Sequence, residues 1–274
     1  MKVLFLVQKE QRAILDRLYD GIAAHCECDT RWLSSEEQAD LRGYFRKHVD
    51  VSRYDRILFF LRFKKEMRQV RFIRSVPNLV ILEHDAYQNY IPCKYTGKFS
   101  AHYRRLPWAR VISSGHTVSE RLRQEGFDAV FVPKGYDQTL LHDLGLARDI
   151  ELGFVGSTGS VAYSGRKALL DELGGVENLL LAYDQGEREN EALGFRDMEN
   201  IVLYRSVADI QEKLAILRLD TALAERIARS GQALAIERFS FAAVGQSIVE
   251  AMRPALREPE RPGWLEKTWR RIFT

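Results

Sequence analysis

The sequence predicts an α/β protein of two domains with mostly parallel sheets, the second abbreviated. Three observations carry this. Through residues 1–140, short apolar runs alternate with helical patterns at the spacing of βαβ units, which calls for a parallel sheet with helices on both faces. The run Ala129–Val132 ends in Pro133-Lys134-Gly135, and soon afterwards Glu151–Val155 ends in the glycine turn Gly156-Ser157-Thr158-Gly159-Ser160. That is how one αβ domain closes and another opens. Finally, 274 residues with 46% hydrophobic and 29% charged content have room for two modest cores. The expected divisions are residues 1–140, residues 150–253 and a tail over 254–274.

The first domain is read element by element. Val3–Val7 is a continuous apolar run, as in a strand buried on both faces. Ile14, Leu18 and Ile22 then recur every four residues, on one helix face. Thr30–Leu33 is a weaker strand, and Ser34-Ser35-Glu36-Glu37 resembles a helix start. Arg56–Phe60, Leu79–Leu82, Val111–Ser113 and Ala129–Val132 complete the strands. Lys64–Arg74 reads as a basic helix, and Thr117–Gln124 as a helix closed by Gly126.

The second domain shows only three strands: Glu151–Val155, Leu179–Tyr183 and Asn200–Tyr204. Its helices are expected over Arg166–Leu173, Val207–Leu217, from Asp220 to about Glu237, and over Phe241–Met252. The polar stretch Asp184–Asp197 offers no strand. After Arg253, three prolines mark an extended linker before a short segment carrying Trp264, Trp269, Arg270 and Arg271.

Composition narrows the function. A net charge of +3 and the lack of a recognised motif argue against nucleic acid. Cys26, Cys28 and Cys93 are too few and wrongly spaced for a zinc site and read as reduced thiols. The N-terminal apolar run is short for a signal peptide, and no run reaches the roughly 20 residues that span a bilayer. The expected location is cytoplasmic, at the inner face of the membrane if the basic and aromatic segments dock there. Lys64, Arg68 and Arg71 on one helix face, with Arg104, Arg105, Trp108, Arg110 and the C-terminal segment, suit an anionic membrane surface. A solvated charged face is the plainer alternative.

Ligands of such sheets bind beyond the carboxyl ends of the strands. At one such end Gly156 and Ser157 offer backbone N–H groups to a diphosphate. Arg166 follows one helical turn later, in place to neutralise it. A glycine turn is also common in any αβ protein. Glu83-His84-Asp85 follows a buried-type strand and is expected to project from the edge. His84 or Asp85 there suits deprotonation of a hydroxyl; a polar loop with Asp85 as a cap accounts for them equally. Tyr87 is placed to stack on a sugar ring or simply to pack. His116 is either a second site group or part of an N-capping turn, Ser-Gly-His-Thr.

Four stretches taken in order, Ile112–Asp137, ELGFVGS, Gly194–Leu217 and the closing LAERIARSGQALAIERFSFAAVGQSIVEAM, resemble a bacterial glycosyltransferase of the GT-B type, with a CgeB-like or group 1-type C-terminal domain. The resemblance implies two Rossmann-like domains. It also implies transfer of a sugar from a nucleotide diphosphate to a cell-surface glycan or lipid-linked acceptor. No separate cofactor is implied, and no Asp-x-Asp metal motif is present. His84 or Asp85 would serve as base, Tyr87 and His116 would lie on the acceptor side, and Gly156, Ser157, Arg166, Lys134 and Glu191 would hold the donor. The chain departs from the family where Leu179–Tyr183 passes almost directly into Glu191-Ala192-Leu193-Gly194. Family members carry a further βα segment there, with an acidic residue for the ribose and a glycine turn for the sugar. The shortening implies either a compact enzyme with a rebuilt donor pocket or a non-catalytic protein that binds nucleotide, glycan or a partner.

Overall fold

The structure is a computed structural model that describes residues 1–140, 182–183 and 186–258, without the side chains of 11–14 and 182–183. These residues form two units: 1–132 with 245–258, and 133–140 with 182–183 and 186–244.

In the first unit the strands are β1 (Lys2–Gln8), β2 (Glu27–Leu33), β3 (Arg56–Phe60), β4 (Leu79–Glu83), β5 (Arg110–Ser113) and β6 (Asp128–Phe131). They make one parallel sheet in the order β2-β1-β3-β4-β5-β6. β1 reads as a pure apolar run because both its faces are covered: six of its seven residues are buried. The helices are α1 (Arg12–Ala23), α2 (Ser35–Ala39), α3 (Leu41–His48), α4 (Phe63–Arg68), α5 (Val70–Ile73), α6 (Lys98–Tyr103) and α7 (His116–Gln124).

On one face of the sheet Leu4, Leu6, Ile57, Phe59, Leu79, Ile81 and Val111 form a core with Leu41, Phe45, Ile73, Phe99 and Leu122. Strand side chains alternate, so Val3, Phe5 and Val7 face the other way, where Phe5 meets Tyr19 of α1 edge-on at 5.4 Å. Leu18 and Ile22 are buried as expected; the side chain of Ile14 lies outside the described residues.

Several expectations are corrected. The weak strand over Thr30–Leu33 starts at Glu27, extended by its pairing to β1 from Lys2↔Glu27 to Gln8↔Leu33. The basic helix Lys64–Arg74 is two short helices broken at Gln69. The Gln69 side chain turns back to donate to the Gln38 and Lys65 carbonyls and to accept from the Leu41 N–H. Lys64, Arg68 and Arg71 therefore share no continuous helix face. Trp108 and Arg110 are buried, so they cannot belong to a membrane-facing patch. Arg110 pairs with Asp128, Nη2 to Oδ2 at 3.0 Å. The helix start at Ser34 is a complete capping box with Glu37.

The second unit holds the two-residue strands β7 (Ala182–Tyr183) and β8 (Leu203–Tyr204), paired in parallel. Its helices are α8 (Glu187–Leu193), α9 (Val207–Leu219), α10 (Thr221–Phe239) and the start of α11 (Phe241–Met252). The polar stretch read as lacking a strand carries a helix, α8, stopped by Gly194 at φ 77°, a left-handed turn that glycine alone adopts readily. The strand expected over Asn200–Tyr204 is cut to two residues, because the Asn200 side chain instead bonds the Gly194 carbonyl and the Arg196 N–H. Asp220 caps α10 as expected, accepting from the Leu223 N–H at 2.8 Å. The elements expected over Glu151–Val155 and Arg166–Leu173 lie outside the described residues.

Candidate functional site

The strand order places the first unit's switch point between β1 and β3. The chain moves outward from β1 to β2, then returns past β1 to β3. Crossovers diverge there and leave a crevice beyond the carboxyl ends of the two strands. Gln8 ends β1, and Arg62 follows β3 by two residues. The Arg62 Nε donates to Gln8 Oε1 at 3.1 Å, and its Nη2 lies 3.9 Å from Glu10 Oε2. Below them Gln38, wholly buried, accepts from the Arg62 N–H at 3.3 Å and donates to the Leu33 carbonyl at 3.1 Å. Neither Gln8 nor Arg62 stood out in the sequence. The one signal was a polar residue closing an apolar run; that the two are neighbours requires the strand order.

Beside the switch point, β4 ends in Glu83 and β5 in Ser113, which lie opposite one another in register. The next residues come together across this edge. His84 packs edge-on against Phe60 of β3, ring centres 4.9 Å apart. The Ser114 hydroxyl donates to the His84 carbonyl at 3.5 Å. His116 stands edge-on to Phe131 at 5.5 Å, with Nδ1 3.9 Å from Glu120 Oε2. Half-buried His84 and exposed Asp85 and Tyr87 thus lie at one sheet edge with His116.

Two expectations change here. Glu83 does not project but is buried. Burial pushes its carboxyl up to about 8, opposed by a 2.7 Å hydrogen bond from the Asp85 N–H and reinforced by the charges of Glu66 and Asp85. Asp85 occupies the cap position of the next turn, but its side chain makes no capping bond. The Ser-Gly-His-Thr turn does begin α7 as read, with Gly115 at the cap position and His116 as the first helical residue.

Behind the edge lies a second polar group. Glu66 and His102 are buried, with Oε2 and Nε2 3.7 Å apart, and neither atom makes a hydrogen bond among the described residues. The Tyr103 hydroxyl, wholly buried, is held protonated far above its ordinary range by burial first, then by the charges of Glu83 and Glu66.

No family model matches the chain, and no curated protein matches it significantly.

The second unit carries a hollow of about 420 Å³. One face of α8 supplies Glu187, Asn190, Glu191 and Gly194, and the following chain supplies Phe195, Arg196, Leu203 and Arg205. The spacing of three and four explains the helical share, since positions i, i+3, i+4 and i+7 stack on one side. Arg205 lies 3.6 Å from Glu187, and Arg196 lies 3.6 Å from Glu199. Glu191 thus lines a cavity together with two guanidiniums that did not stand out in the sequence. Lys134 is exposed in the same unit. Gly156, Ser157 and Arg166 lie outside the described residues. Among the described residues no group of three or more His, Cys, Asp or Glu is placed to hold a metal ion. No described helix is long and apolar enough to cross a membrane.

Proposed function

We propose that the chain is a glycosyltransferase with two Rossmann-like domains of the GT-B type. It moves a sugar from a nucleotide diphosphate to a glycan or lipid-linked acceptor. The observation that supports this reading most is the hollow of the second unit, where Glu191 stands among Arg196, Arg205 and Asn190. A nucleoside diphosphate needs this mixture. A carboxylate accepts from the ribose hydroxyls, and guanidinium groups bond the phosphate oxygens in pairs. A surface built only for solubility has no reason to combine these groups in a concavity.

In the reaction, the acceptor hydroxyl oxygen bonds to the anomeric carbon as that carbon's bond to the diphosphate oxygen breaks. The hydroxyl proton passes to a base, His84 or Asp85. The leaving diphosphate carries the electron pair and is stabilised by cations and N–H donors. Tyr87 and His116 belong with the acceptor, and Lys134, Gly156, Ser157 and Arg166 with the diphosphate. Docking at the inner face of the membrane rests on the remaining basic segments, since Trp108 and Arg110 are buried.

Calorimetry with UDP, GDP, CMP and dTDP tests the donor site. One of them is expected to bind, and Arg205→Gln is expected to weaken it about tenfold by removing one charge-assisted pair. Turnover of the matching nucleotide sugars then separates enzyme from binder. The short passage from Leu179–Tyr183 to Glu191 favours the non-catalytic alternative if a nucleotide binds without turnover. Silence from all four nucleotides ends the donor-site reading.

A further inference from the structure

The switch point between β1 and β3 presents a guanidinium whose bonding is incomplete. The Arg62 side chain is 48% exposed. Its Nε is engaged by Gln8 and its Nη2 faces Glu10, while Nη1 makes no hydrogen bond among the described residues. Gln8 is 7% exposed and commits its oxygen to Arg62; its amide nitrogen likewise makes no hydrogen bond among the described residues. Two donors near neighbouring strand ends thus make no hydrogen bond among the described residues.

This arginine is positioned from beneath. Its backbone N–H is held by Gln38, whose own carbonyl accepts from Gln69 at 2.7 Å, while Gln69 Oε1 accepts from the Leu41 N–H at 2.7 Å. The Arg62 carbonyl accepts from the N–H groups of Lys65 and Glu66. These bonds fix the backbone at Arg62, and the bond to Gln8 orients its guanidinium. The Glu10 contact does not account for it, because an exposed ion pair at 3.9 Å contributes little to stability. A guanidinium oriented by a buried glutamine, on a backbone held in this way, suits a recognition group.

We propose that Arg62 and Gln8 form an oxyanion-binding site, which anchors a phosphate or carboxylate group of a ligand held at the carboxyl edge of the first unit. The planar guanidinium matches two oxygens of either group, and the Gln8 amide supplies a neutral donor beside it. Glu10 offsets part of the positive charge, so the fork geometry sets the selectivity. This site involves the first unit alone and is independent of the nucleotide reading of the second.

The test follows the arginine Nε–Hε signals of the full-length protein by NMR, with the Arg62 signal identified by its loss in Arg62→Lys. Inorganic phosphate and glucuronate are titrated separately at an ionic strength fixed with chloride, with glucose as the neutral control. A saturable shift of the Arg62 signal is expected with at least one anion and none with glucose. Which anion saturates tells phosphate from carboxylate. Followed on the backbone amide of position 62 in both proteins, binding is expected to weaken about tenfold in Arg62→Lys, which keeps the charge and loses the fork. Gln8→Leu is expected to weaken it less. Absence of saturation by both anions in the unaltered protein overturns the site, and so does binding unchanged in both variants. UDP is titrated as a separate arm, with Arg205→Gln as its own control, so failure of either site leaves the other standing.

Discussion

Glu83 closes an apolar strand, and that position gives it unusual chemistry. Its carboxyl is buried at the end of β4 and keeps its proton up to about 8, against an ordinary value of 4.5. Between those values the folded chain binds more protons than the unfolded chain, so stability falls as pH rises. The contribution of Glu83 is fully present below about pH 4.5 and is lost as pH rises through about 8. Glu83→Gln keeps the shape and the acceptor for the Asp85 N–H but cannot ionise. Thermal unfolding across this window is expected to show a shallower decline for Glu83→Gln than for the unaltered protein. The largest difference is about 1.4 kcal/mol per pH unit for one proton. Identical slopes would show that Glu83 is solvated in the native state. The same burial explains why the Glu83-His84-Asp85 run misleads as a sequence feature. Consecutive residues at a strand end point in different directions, and only the latter two reach the edge.

At the scale of elements, one glycine decides how closely α11 approaches α1. A Cβ built on Gly245 would collide with the Gly21 carbonyl carbon and lie 2.7 Å from the Ile22 nitrogen. Those are backbone atoms of a helix and cannot rotate away. Alanine at 245 gains about 1 kcal/mol in helix propensity over glycine. Forcing a methyl into a closed contact costs about 1–3 kcal/mol, and here the whole helix must shift. Packing should win, and Gly245→Ala is expected to destabilise the protein by about 1–2 kcal/mol in urea unfolding. A stability gain would mean that the two helices are less tightly seated. The sequence showed Phe241–Met252 as a helix with correct ends, because its apolar spacing is a local signal. Nothing in it marked Gly245 as the crossing point.

At the scale of the whole molecule, the chain returns to the first unit at its far end. Two arginines from the amino ends of strands receive it. Arg56 donates to the Met252 and Pro254 carbonyls at 2.7 and 3.0 Å. Arg110 donates to those of Ala251, Pro254 and Ala255 at 2.9, 3.1 and 3.1 Å. The last carbonyls of α11 and the chain beyond are thereby satisfied by cations, which also complement the negative end of the helix. Asp128 balances Arg110. Arg110→Leu leaves Asp128 without its cation and the carbonyls without donors, and is expected to cost about 3 kcal/mol. Because both residues act in one network, Arg110→Leu with Asp128→Leu should cost less than the two single changes summed. A double-mutant cycle in urea checks this; strict additivity would argue against the network.

By itself the sequence determined what local periodicity and punctuation encode. Strands buried on both faces appear as apolar runs, so β1, β3, β4 and β5 were legible; the edge strand β6 is mostly half-buried and was legible from its own apolar residues, and capping residues such as Ser34 and Asp220 marked helix starts. Only the resemblance pointed to Glu191, which lines the hollow of the second unit. The tertiary structure decided whatever depends on which elements become neighbours. The strand order put the switch point between β1 and β3, and with it joined Gln8 to Arg62 across 54 positions. It likewise buried Arg110 and Trp108, which in sequence looked like surface cations and a membrane aromatic. The reason is physical. A residue's backbone preference is set by its near neighbours in the chain, while its solvent exposure and bonding partners are set by contacts that close only when distant segments pack.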